Sequence, residues 1–240
     1  MSMENYFSRR IDCVDCNCLK CYVRKFCSDL EQSKISSAKD LNHYRTGDSI
    51  FKEGNTMLGI YFVMHGAVKV VTSGPNGREQ VVRLASDGDL LGHRVLGNDK
   101  YYFNAIALRD TQICFIETAV FKDTCMNSPE FSYRLLLFYA LELRRTELRV
   151  KFQAQMNIRE KVAQAFVYLN EVFEINSESN KLNVDLSRKE IADIAGTTPE
   201  QVTRQLSDFE EEGLISREKR DIQLLDIAGL ENIVKDYKII

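Results

Sequence analysis

Leu186-Ser187-Arg188-Lys189-Glu190-Ile191-Ala192, followed by Thr198-Pro199-Glu200-Gln201-Val202-Thr203-Arg204, is the stretch on which the reading of this 240-residue chain turns. Ser187 and Glu190 stand three residues apart, the spacing at which a hydroxyl and a carboxylate satisfy each other's exposed amides at a helix start. A helix therefore begins there and runs through Ile191, Ala192 and Ile194 to Ala195-Gly196-Thr197, where glycine accepts the left-handed conformation that ends it. Thr198 caps a second helix at once, with Pro199 in the first turn, where no amide is needed. Val202, Leu206 and Phe209 give that helix a buried stripe up to Gly213. Two short helices joined by a tight glycine turn make a helix-turn-helix.

On the opposite face of the second helix, Glu200, Thr203 and Arg204 fall at i, i+3 and i+4 near the end that enters a major groove. A carboxylate accepts from the cytosine amino group, and an arginine donates two hydrogen bonds to guanine. An exposed ion pair at helical spacing is the other reading of Glu200 and Arg204. The capping box, the glycine turn and the hairpin that follows favour DNA. That hairpin, Leu214 to Leu224, carries Arg217, Lys219 and Arg220 at its tip and reads as a wing for phosphates, which sets affinity without sequence preference. Ser187, Arg188 and Thr198, at the two helix starts, complete the candidate DNA contacts.

Upstream, Asn157 to Glu174 carries a helical period in Val162, Ala165, Phe166, Leu169, Val172 and Phe173. Asn176 to Lys181 is a polar loop, and Leu182, Val184 and Leu186 alternate as a short strand. From Pro129 to Phe152 glycine is absent and Leu, Arg and Glu dominate, which predicts a long helix. Its stripe, Leu137, Leu141, Leu148 and Phe152, is narrow enough for a seam between two subunits; packing on the neighbouring domain is the alternative. Before that, glycines from Gly47 to Gly97 punctuate short apolar runs, Ile60 to Met64, Ala67 to Val71 and Gln80 to Leu84, with a turn at Gly74-Pro75-Asn76-Gly77. A β-roll or barrel from about Asp40 to Ile116 follows. The fold class is α+β, with a cysteine-rich segment at 1–30, a β-roll sensor at 31–128, a dimerisation helix at 129–156 and a winged helix-turn-helix at 157–240.

The net charge of −3 exerts no global pull toward nucleic acid, so DNA contacts come from local Lys and Arg. Met1 to Arg10 lacks the apolar stretch of a secretory signal, and the longest apolar run, Leu135 to Leu141, is too short for a bilayer; a cytoplasmic protein without membrane contact is expected. In a reducing compartment the 7 cysteines are not a disulfide framework. Cys13, Cys16, Cys18, Cys21 and Cys27 crowd one short stretch, which favours metal or redox chemistry. Cys13-x-x-Cys16 and Cys18-x-x-Cys21 form two knuckles able to hold tetrahedral zinc. A metal-free dithiol switch is a further option. Cys125 reads as a packing residue, and His43, His65 and His93 as surface or core residues. No dinucleotide glycine pattern, phosphate loop or nucleophile-base set accompanies the thiols, so an enzyme is not expected; an iron-sulfur electron carrier is the remote alternative.

The combination of roll, long helix and winged head resembles the CRP/FNR family of bacterial regulators, over nearly the whole chain. Gly59-Ile60-Tyr61-Phe62-Val63-Met64-His65-Gly66 and Gly88-Asp89-Leu90-Leu91-Gly92 share in the likeness. The resemblance implies a homodimer on double-stranded DNA, working with RNA polymerase. Glu200-x-x-Thr203-Arg204 is similar to the Glu-x-x-Ser-Arg of the FNR branch, which implies palindromic sites with TTGA-like halves. The family's cyclic-AMP pocket needs a Glu after the Gly-Asp-x-x-Gly segment and an Arg-Ser pair further on. Here His93 and, near the second place, Tyr101-Tyr102 stand instead, and Lys100 supplies a stray charge but no bidentate phosphate fork, which argues against cyclic AMP and leaves another small effector open. Cys18-x-x-Cys21-x5-Cys27 has the spacing of three cluster ligands in FNR oxygen sensors, and Cys114 matches the fourth. The resemblance therefore implies a 4Fe-4S cluster on Cys18, Cys21, Cys27 and Cys114, lost in oxygen together with dimerisation. Phe26 beside Cys27 would partly shield it.

Overall fold

A computed structural model of the chain describes residues 11–95, 97, 99–173, 180–218 and 221–237. It divides into two compact units. The first comprises Met1–Thr72 and Ala85–Tyr139, the second Ser73–Leu84 and Ala140–Ile240. The division passes through the long helix and assigns the Gly74-to-Gly77 turn, with most of the strand after it, to the second unit.

In the first unit, two short helices, α1 (Tyr22–Phe26) and α2 (Asp29–Ala38), precede the strands. Ser28 caps α2 through a reciprocal box with Glu31, whose carboxylate accepts from the Ser28 amide at 2.7 Å. The strands, in this unit except for β5, which falls almost wholly in the second, are β1 (Asp40–Tyr44), β2 (Ser49–Phe51), β3 (Gly59–His65), β4 (Val68–Ser73), β5 (Glu79–Ala85), β6 (Leu90–Leu91), β7 (Asn104–Ala107) and β8 (Thr111–Glu117). They form two four-stranded sheets in the orders β1-β8-β3-β6 and β2-β7-β4-β5. The expected roll from Asp40 to Ile116 is thus observed, because alternating apolar runs broken by glycine suit half-buried strands and turns. Gly66, at φ 139°, bends the chain between β3 and β4; a Cβ there would meet Thr111 Oγ1 at 2.3 Å. Strand β8 lies centrally, with Cys114 facing Leu41 of β1 on one side and Phe62 of β3 on the other. The core beneath this sheet collects Val23, Ile35, Ile60, Phe62, Leu90, Ile116, Phe121 and Phe131, together with Cys13, Cys27 and Cys114.

Helix α3 (Thr118–Asn127) leads to α4 (Pro129–Gln155), the predicted long helix. The second unit continues with α5 (Ile158–Phe173), α6 (Arg188–Ala195), α7 (Pro199–Glu211), β9 (Ile215–Glu218), β10 (Asp221–Leu224) and α8 (Ile227–Ile233). The Ser73–Leu84 arm belongs to this unit through specific contacts. Gln80 Nε2 donates to the Asp193 carbonyl at 2.7 Å, Lys189 pairs with Glu79 at 2.6 Å, and the Leu84 amide donates to the Tyr168 hydroxyl at 2.9 Å. One expectation is corrected. Leu182 to Leu186 is not a strand; isolated bridge pairing at Lys181, opposite Gln223, and at Leu182 precedes the turn into α6. Val184 and Leu186 are buried, so the alternation reflects two anchors beneath a helix start rather than a ladder. Most of the expected 176–181 loop lies outside the described residues.

Candidate functional site

The helix-turn-helix is built as its capping residues dictate. The Ser187 amide and hydroxyl both donate to Glu190 Oε2, at 2.9 and 2.8 Å, and the Glu190 amide returns to Ser187 Oγ at 3.2 Å. Gly196 closes α6 in the left-handed region at φ 68°, and the Thr198 hydroxyl accepts from the Gln201 amide at the start of α7. Val202, Leu206 and Phe209 are fully buried, which fixes the rotation of α7 and leaves Glu200, Thr203 and Arg204 exposed. The Glu200 carboxyl is held below its usual range by its own backbone amide and then by the Thr198 hydroxyl, so it is an ionised acceptor at neutral pH. Thr203 donates to the Pro199 carbonyl at 2.8 Å, which orients its methyl and oxygen on the open face.

Strands β9 and β10 form the expected wing hairpin, Arg217 opposite Ile222. Arg217 is not a free tip charge. Its backbone amide donates to Glu210 Oε1 at 3.0 Å and its guanidinium pairs with Glu210 Oε2, the Nε bond measuring 2.8 Å. Glu210 lies near the end of α7, so this pair ties the wing to the reading helix. Burial and then the charge of Arg217 hold the Arg188 guanidinium below its ordinary value. Lys219 and Arg220 lie outside the described residues.

The second constellation is in the first unit. Cys13, Cys16, Cys18, Cys21 and Cys114 line one cavity with Val23, Arg24, Ile35, Lys39, Phe62, Val63, Met64 and Ile116. The turn that collects them is stitched by the amides of Cys16 and Cys21, which donate to the carbonyls of Cys13 and Cys18 at 3.3 and 3.1 Å. Ser36 Oγ holds the Cys13 amide at 2.6 Å. Cys27 is buried in the same apolar cluster but is not among the lining residues. Among the described residues no three Cys, His, Asp or Glu side chains stand at metal-ligating geometry. Burial pushes the Cys18, Cys27 and Cys114 thiols up to about 12, and raises Cys21 as well. Left alone these groups are neutral; a bound cation would deprotonate them outright. Soft sulfur in a dry, partly enclosed setting fits iron-sulfur or zinc chemistry. Sequence reasoning missed Lys39, 4% exposed, whose Nζ donates to Cys13 Sγ at 3.2 Å. A single lysine after an unremarkable helix carries no pattern that announces this.

Cys125 is half-buried against the same core, and its carbonyl accepts from Ser132. Phe26 packs on that core beside Tyr22, under the Arg134 guanidinium. The two positions weighed for a cyclic nucleotide are occupied by aromatic packing. His93 is buried edge-on to Phe138 and Tyr139. Tyr101 is buried, stacks on Phe51 at 4.2 Å and donates to the Gly59 carbonyl at 2.9 Å. His65 pairs with Asp87 at the surface. Along α4 the expected stripe divides. Leu137 and Leu141 are exposed, with Tyr133, Leu136, Leu143 and Val150, whereas Phe152 is buried edge-on to Tyr237.

A β-roll followed by a long helix and a winged helix-turn-helix defines a DNA-binding regulator with a sensory domain. Residues 41–128 match the cyclic nucleotide-binding domain family and residues 160–233 the Crp-like helix-turn-helix domain family. The nitrogen fixation regulation protein FixK of Bradyrhizobium diazoefficiens is 28% identical over 221 residues, covering 89% of this chain and 92% of the relative. An anaerobic regulatory protein of Aggregatibacter actinomycetemcomitans is 22% identical over 96% of this chain and 93% of its own length. The solved structure of FixK2 from Bradyrhizobium japonicum shares the fold, with a TM-score of 0.72 at 23% identity over 82% of this chain and 97% of that one. The chain belongs to the CRP/FNR family of transcription regulators. Regulators of this family bind DNA and act as dimers; they are not enzymes. No helix among the described residues is long and apolar enough to cross a membrane.

Proposed function

We propose that this regulator responds to oxygen or redox state through a 4Fe-4S cluster held by Cys18, Cys21, Cys27 and Cys114. As a homodimer it reads palindromic, TTGA-like sites with Glu200, Thr203 and Arg204, and it acts on RNA polymerase in the cytoplasm. Phosphate contacts come from Ser187, Arg188, Thr198 and the wing residues Lys219 and Arg220, while Arg217, the third wing cation, is engaged by Glu210 and holds the wing to α7. The observation that carries the sensory part is the convergence of Cys18 and Cys21 with Cys114, from a central strand far along the chain, on one cavity. The likeness to an anaerobic regulatory protein supports it. When bound, the cluster supplies a centre whose oxidation state and integrity oxygen can change. The chain's own part is to exclude water, to supply soft donors and to seat them in the roll core, beside the first turns of α4. The aromatic filling at His93 and Tyr101 argues against cyclic AMP as effector.

A second reading has its own observation. Cys13 and Cys16 line the same cavity as Cys18 and Cys21, a set of four thiols suited to structural zinc. Purification without oxygen, with iron, acid-labile sulfide and zinc measured before and after air, separates the two. Iron and sulfide that disappear in air are expected; zinc without sulfide overturns the cluster and leaves the DNA-binding assignment intact. Metal-free protein that loses free thiols in air points to a dithiol switch. For the reading head, Arg204→Ala is expected to abolish specific retention of a TTGA-containing palindrome in a gel shift at moderate salt. Unchanged retention refutes the assigned reading face.

A further inference from the structure

Lys39 sits at the C-terminal end of α2, one turn beyond Ser36. That turn both holds the Cys13 amide through Ser36 Oγ at 2.6 Å and delivers the Lys39 ammonium to Cys13 Sγ at 3.2 Å. The lysine is 4% exposed, unlike the half-buried Arg24, and lines with it the cavity of Cys13, Cys16, Cys18, Cys21 and Cys114, of which Cys114, Cys13 and Cys16 act on its charge. No carboxylate pairs with it among the described residues. Removing an ammonium from water is costly, and a neutral thiol, a weak acceptor, offsets little of that cost. Anionic sulfur offsets far more, because Coulomb attraction strengthens as water is excluded. Thiolates gathered round a metal leave a net negative charge that the metal does not cancel.

We infer that Lys39 is the buried counter-cation of a thiolate-held metal group in this cavity, a positioning residue that neutralises excess negative charge without ligating. The inference rests on the metal-binding reading above. It makes Cys13 the sulfur through which α2 reaches that group, whether Cys13 ligates or stands beside the ligands. The potential of a thiolate-bound cluster depends on the charge and hydrogen bonds around its sulfurs. A nearby ammonium favours the reduced, more negative state, so removing it lowers the midpoint potential.

The test compares full-length wild type, Lys39→Met and Lys39→Arg, purified without oxygen, for metal and sulfide content, midpoint potential by optical titration, and half-life of visible absorption after air. Methionine fills similar space without charge, and replacing a buried ion by an apolar side chain is often neutral to folding; circular dichroism checks this. The Met variant is expected to show a more negative midpoint and a half-life several-fold shorter, with Arg close to wild type. Should Lys39→Met not fold, Lys39→Gln takes its place in every measurement. Wild-type potential and half-life in a folded, iron-loaded, uncharged variant overturn the inference while leaving the cluster reading standing. If the wild type carries zinc instead, the cluster reading fails and Lys39 is judged by zinc loss to a chelator: several-fold faster loss in the uncharged variant, restored by Arg, supports the inference, and equal rates overturn it. Metal-free wild type overturns both.

Discussion

Ser187 and Glu190 each satisfy an amide that water would otherwise have to reach, and Gly196 takes a backbone angle that a Cβ resists. Ser187→Ala is expected to destabilise the protein by about 1 kcal/mol, read from thermal unfolding followed by circular dichroism. Gly196→Ala should cost roughly 1 kcal/mol or more, because φ is 68° and a Cβ is strained there, whereas the nearby Gln153 side-chain end can move aside. Glu210 and Glu212 are held below the usual carboxylate range by their hydrogen bonds to Arg217 and Arg159. Depressed carboxyls contribute stability that is complete above their unfolded value and fades as pH falls through the folded one, so these pairs weaken in acid and not in base. Both carboxylates are exposed, which keeps the effect small. At this scale the capping residues were legible in sequence because their partners lie three or four positions away. The Arg217 pair was not, since Glu210 is on another element and only the bend between α7 and β9 brings them together.

Helix α4 illustrates the element scale. Its length was readable from the loss of glycine after Gly97 and the run of Leu, Arg and Glu, but a period alone does not say what covers each part of a stripe. Phe152 is covered by Tyr237, while Leu137 and Leu141 are left exposed beside Leu136, Leu143 and Val150. Those exposed side chains are the surface on which a dimer would close, since an apolar row at heptad-like spacing gains by burial against its own copy. Leu141→Glu should therefore give a monomer in sedimentation and weaken binding to a palindrome at least tenfold, with little change in melting temperature. A stable Leu141→Glu dimer would remove α4 from the interface. The reading helix α7 was more legible, because one buried face of Val202, Leu206 and Phe209 leaves the other no choice of direction. Leu182 to Leu186 misled for the opposite reason: three alternating residues satisfy a strand pattern even when just two of them serve as anchors.

For the whole molecule, the expectation is that loss of the metal group in air and loss of the dimer on DNA occur together. Sedimentation and gel-shift measurements on one aliquot, before and after air, should move in step; a dimer that persists with full DNA affinity after all iron is gone would uncouple sensing from binding. A net charge of −3 does not oppose this, because the cations that meet phosphates are local and their contacts weaken steeply with salt. What the sequence determined by itself was set by short-range rules: the turns, the caps, the helix periods, the strand periods of the roll, the face of α7, and the presence of thiols in one stretch. Tertiary structure decided which thiols meet. Cys114 reaches the N-terminal turn because β8 is central in its sheet, and Lys39 reaches Cys13 because α2 folds back over that turn. It also drew the Ser73–Leu84 arm into the unit that carries the reading head. Contacts of this kind depend on burial and closure across long stretches of chain, and local periodicity carries no record of them.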